Sequence, residues 1–107
     1  MDAAYATRDP VQAELAARVA GIGHRARTVS IATLASEVDA IRAAALPHGL
    51  YPAVAVTHAI EAALARGERG ALVIGWLDIL RDAVACDRHD GPACETYLAA
   101  CSVRLSG

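Results

Sequence analysis

Tyr51–Cys86, YPAVAVTHAIEAALARGERGALVIGWLDILRDAVAC, is the stretch whose reading decides the fold. It divides into two helices joined by Arg66-Gly67-Glu68-Arg69-Gly70, and the second carries the longest apolar run in the chain and its only tryptophan. In that helix Leu72, Val73, Trp76, Leu77, Leu80 and Val84 recur at helical spacing, while Ile74 and Ile79 widen the apolar arc well beyond one face. Only a thin stripe stays polar or small: Ala71, Gly75, Asp78, Asp82 and Ala85, with Arg81 beside it. A helix this apolar needs either several neighbours from its own chain or a second copy of the chain. The expected assembly is a homodimer, with Leu72, Val73, Trp76, Leu77, Leu80 and Val84 assigned to its interface.

Outward from this stretch the pattern stays helical. Asp9, Pro10 and Gln12 form a helix-start signal, and Val11, Leu15, Val19 and Ile22 line one face of a first helix. Glu14 and Arg18 stand at i and i+4 on its other side, and Gly21 or Gly23 is expected to end it. Thr28 or Ser30 then caps a second helix whose Ile31, Leu34, Val38, Ile41 and Ala45 follow the a/d spacing of a bundle seam, with Pro47 and Gly49 stopping it. In the third helix Val56, Ile60, Ala63 and Leu64 point inward and Thr57, His58 and Glu61 point elsewhere, although YPAVAV can also begin as extended chain. After the central helix, Asp87 to Pro92 reads as a turn with Asp90 or Gly91 as cap. A fifth helix places Cys94, Tyr97, Leu98, Cys101 and Leu105 on one face. The expected fold class is all-α, a compact bundle of four to five helices: residues 1–8 form a tail and 9–107 a single domain.

Composition narrows the function classes. The chain is 55% hydrophobic, but much of that is alanine and only 4% is aromatic, so its core buries little area per side chain and association is an expected source of added stability. Ten arginines, no lysines and twelve carboxylates give a formal charge of −2 with no basic cluster, which argues against a nucleic-acid partner. No secretory pattern opens the sequence and no apolar run reaches membrane-spanning length, so a cytoplasmic protein with no membrane partner is expected. Three cysteines, an odd number, fit a reducing compartment.

Four readings compete with a plain interaction module. Cys86, His89 and Cys94 could supply three zinc ligands, whereas Cys101, seven residues beyond Cys94, stands about 10 Å further along the helix and is out of reach of the same ion. Packing thiols, or a Cys86–Cys94 disulfide, are the alternatives for this turn. His58, Glu61, Asp78 and Asp82 make a candidate polar cluster. A di-iron bundle would need glutamate three residues before histidine on two helices, and here the order is reversed and occurs once. A lone helical histidine in a bundle of this length is also the outline of a histidine phosphotransfer domain. Those domains carry lysine and then glycine shortly after the histidine, where this chain has Glu61 and Ala62, and a glutamate there repels a phosphoimidazole. A helix-turn-helix reading over Ala32–Ala45 and Ala53–Ala65 exposes Thr57, His58, Glu61 and Arg66, a poor surface for phosphates. No nucleophile stands beside an oriented base, and no glycine-rich loop follows a strand, so neither a catalytic residue nor a cofactor is expected. The leading expectation is a non-enzymatic interaction or scaffolding module with an apolar surface for itself or another protein.

Overall fold

The computed structural model describes residues 10–68, 70–86 and 91–106. All of its regular structure is helical: α1 (Pro10–Arg25), α2 (Ile31–Ala45), a short 3-10 turn (Leu46–His48), α3 (Tyr51–Ala65), α4 (Ala71–Ala85) and α5 (Gly91–Ser106). The tail and Asp9 lie outside the described residues, as do Asp87 to Asp90.

Each helix boundary has a local cause. Ser30 caps α2 by accepting the backbone N–H of Thr33 at 3.0 Å, which satisfies one of the orphan donors of the first turn. Past the 3-10 turn, Gly49 takes φ 69° while Leu50 donates back to the Ala45 carbonyl. The end of α3 uses the same device: Gly67 at φ 86° lets its own N–H reach Leu64 O and the Glu68 N–H reach Ala63 O at 3.0 Å. The Arg66–Gly70 connection is therefore a helix cap.

Helix α1 does not stop at its glycines. It runs through Gly21 and Gly23 to Arg25, because the buried face that starts at Leu15 and Val19 continues to Ile22 and Ala26, and ending the helix early would strip Ile22 from the core. Helix α3, whose sequence also admitted an extended start, is helical from Tyr51 with Pro52 in its first turn, where a missing N–H costs nothing.

The bundle is built on two inner helices. α3 packs against α2, α4 and α5, and α4 packs against α1, α3 and α5. Ala53 and Ala63 of α3 are fully buried, so the alanine content that makes this core light also lets the neighbouring helices approach closely. Gln12 fixes the direction of α1: its side-chain amide donates to the carbonyls of Val84 at 2.6 Å and Cys86 at 3.1 Å, so the start of α1 meets the end of α4 and the two run antiparallel. The Trp76 indole N–H donates to Cys101 O at 3.1 Å, and the Tyr97 hydroxyl to Asp82 O at 3.3 Å, which sets α5 antiparallel to α4.

Three side chains depart from their expected faces. Thr57 is fully buried, and its hydroxyl satisfies itself on the Val54 carbonyl at 2.7 Å one turn back. Gly75, in the expected polar stripe of α4, is buried. Among the described side chains of α5 the inward ones are Ala93 and Cys101, with Tyr97 and Ala100 against the core, and Leu98 is turned outward at 39% exposure; the side chain of Leu105 lies outside the described residues.

Candidate functional site

The apolar arc of α4 is covered by its own chain. Val73, Trp76, Leu77, Leu80 and Val84 are each no more than 3% exposed, and of the six residues assigned to a dimer interface only Leu72 keeps partial exposure. The pattern in the sequence counts the apolar faces of a helix and is silent on whose atoms cover them. Here α1, α3 and α5 together close around the arc, so a second copy is not needed to bury it.

The candidate polar cluster is split between two places. Glu61, on α3, faces α2, with its Oε2 3.8 Å from Arg42 Nε. Arg42 is held more closely by Asp39, one turn before it. Glu61 Oε2 is buried and accepts no hydrogen bond. Burial, and then the negative charge of Asp39, push the Glu61 carboxyl above its ordinary range, with Arg42 and His58 pulling the other way. Asp39 itself is held below the usual carboxylate range by its hydrogen bond to Arg42 and by the charge of that guanidinium. His58 is exposed. Asp78 opens instead onto the α1–α4 side of the molecule, and Asp82 offers its backbone carbonyl to Tyr97.

Cys86 and Cys94 are partly exposed thiols, Cys101 is a buried one, and no disulfide joins them. His89, the third proposed zinc ligand, lies outside the described residues. Among the described residues no three His, Cys, Asp or Glu side chains converge as a metal would require. For the helix-turn-helix reading, burial of Thr57 removes one of four proposed contact residues, and α3 is enclosed by three other helices. No helix among the described residues is long and apolar enough to cross a membrane.

Among the described residues, two concave surfaces are bordered by α1. The larger, about 450 Å³, lies between α1 and α2. Ala17, Gly21, Ile22 and Ala40 supply its small and apolar walls; Glu14, Arg18, Arg25 and Glu37 supply its charges. Arg25 and Glu37 pair across it at 2.8 Å and tie the two helices together. Glu14 and Arg18 make no ion pair with each other or with any other described residue, despite their i, i+4 spacing. The smaller cavity, about 220 Å³, lies between α1 and α4 and is bordered by Val19, Ala20, Gly23, His24, Ile74, Leu77, Asp78 and Arg81. The larger groove had a signal in the sequence: Ala13, Ala17 and Gly21 repeat every four residues on the face of α1 opposite its core residues. No family model matches the chain, and neither does any curated protein or solved structure.

Proposed function

We propose that this protein is a small helical interaction module that self-associates through the groove between α1 and α2. The observation that carries this reading is the composition of that groove. Its walls are small side chains, Ala17, Gly21 and Ala40, which let another helix approach at short interaxial distance. Its charges balance, two carboxylates against two arginines. A two-fold interface places one patch against itself, so the patch must carry both signs, and a surface of one sign would repel its own copy. Glu14 and Arg18 suit this role because neither is paired among the described residues, leaving each available to the opposite charge on a partner copy. The light, alanine-rich core supplies a reason for association, since burial between copies adds apolar area that one chain lacks.

The test is sedimentation equilibrium of the wild-type protein and of Ala17→Arg. Ala17 is exposed in the single chain, so the substitution leaves the core untouched. The wild type should sediment as a dimer and the variant as a monomer, with helical content unchanged in both. A wild type that stays monomeric at ~100 μM, a weak dissociation constant for a functional homodimer, would sink the reading.

A further inference from the structure

The cavity between α1 and α4 has features that helix packing does not explain. Gly23 lies in the last turn of α1, where glycine is still a poorer helix former than alanine, by at most about 1 kcal/mol. Two structural needs usually account for such a residue, a positive φ or a close neighbour. Gly23 has neither: its φ is not positive, and a Cβ placed on it would meet no atom within 4 Å. The helix therefore carries an unfavourable residue beside open space. With Ala20 one turn before it, Gly23 keeps the α1 wall of the cavity low, while Val19, Ile74 and Leu77 provide apolar surface.

The charged residues at this cavity are equally unexplained. His24, Asp78 and Arg81 border it, and none makes a hydrogen bond or ion pair with another described residue. Asp78 and Arg81 stand three residues apart on α4, about 4.5 Å along the axis, yet do not pair. One unpartnered anion and one unpartnered cation thus sit side by side over an apolar patch. A simple anion would be attracted by Arg81 and repelled by Asp78, and a simple cation the reverse. A molecule carrying both charges on groups that share one carbon meets both side chains favourably.

We infer that the α1–α4 cavity binds a free aliphatic α-amino acid as its zwitterion. Arg81 takes the carboxylate, assisted by a His24 N–H; Asp78 takes the ammonium group; the side chain lies on Val19, Ile74 and Leu77 in the space left by Gly23. The cavity, about 220 Å³, has room for a ligand the size of valine or leucine. This binding site is separate from the α1–α2 groove and does not depend on the self-association proposed for it.

The experiment is a titration of the full chain followed by amide chemical shifts, with L-leucine, L-valine, isovalerate and isoamylamine as probes. The last two each lack one of the two charges. The amino acids should shift the amides around Gly23, Ile74 and Leu77, and each half-ligand should bind at least about tenfold more weakly, the usual loss for one charge-assisted hydrogen bond. Gly23→Leu fills the space and should abolish binding while improving helix propensity. Arg81→Gln, at an exposed position with no bond to another described residue, should weaken leucine at least about tenfold with the fold intact. Absence of shifts at ~10 mM amino acid, millimolar dissociation constants being the weakest worth calling a site, overturns the inference. So does isovalerate binding as tightly as leucine, or leucine binding unchanged in both variants.

Discussion

Glu61 is the residue whose environment is least comfortable. Its Oε2 is buried without a hydrogen bond, and the nearby arginine is already committed to Asp39. Because its folded-state pKa lies above the unfolded one, the fold favours the protonated acid. Stability from this group is fully present below the unfolded pKa and is lost as pH rises through the folded pKa. Glu61→Gln should therefore leave stability unchanged in acid and raise it at neutral pH, a difference readable in urea midpoints at the two pH values. Asp39 works in the opposite sense: its pKa is depressed, so its contribution is present at neutral pH and is lost as pH falls through the folded value. Gln12 is the second telling residue. Gln12→Ala removes the donor to two carbonyls at the end of α4 and should cost about 1–3 kcal/mol in chemical denaturation. Neither role was legible in sequence. Gln12 carries a helix-start signal locally, and its partners are more than 70 residues away. Thr57 misled for a related reason: a hydroxyl that bonds one turn back lets a polar residue sit in the core.

The reading of the helices themselves came through well, because their signals are local. In the α2 seam Leu34, Val38, Ile41 and Ala45 are buried and Ile31 is partly so, Ser30 caps the helix, and the glycines expected to interrupt the chain at Gly49 and Gly67 do so by accepting left-handed backbone. What failed were inferences that depended on neighbours. Gly21 and Gly23 did not end α1, since the core extends past them, and Leu98 faced outward once α5 docked on Ala93 and Cys101. The assignment of α4 to an interface depended on neighbours in the same way, and its apolar arc is covered by three helices of the same chain. Trp76 measures that coverage. Trp76→Ala should destabilise the folded chain by about 3–5 kcal/mol, as expected for an aromatic side chain in a core. Trp76→Phe keeps most of the ring and loses the bond to Cys101 O, so it should cost clearly less, with both read from thermal or urea unfolding. Equal losses in the two variants would mean that the hydrogen bond, and not the ring, carries the contribution.

At the scale of the molecule, α3 and α4 form a shared interior and α1 is the helix that supplies accessible concave surface on both of its flanks. The radius of gyration, 13.5 Å, is near the ~13 Å of a compact domain of about 100 residues, consistent with a core that one chain completes. Function is therefore expected at α1 and its partners, away from the apolar helix that dominates the sequence. The candidate cluster of His58, Glu61, Asp78 and Asp82 could not have been judged from spacing, because membership depends on which neighbours cover each face of α3 and of α4. The central claim, self-association through the α1–α2 groove, is tested most directly by following the amide spectrum as the protein is diluted from ~1 mM to ~10 μM, which spans the dissociation constants of weak to moderate dimers. Self-association there produces concentration-dependent shifts concentrated between Glu14 and Arg25 and between Glu37 and Ala40. Shifts centred on Leu72 and α4 instead, or a spectrum that does not change with concentration, would contradict it.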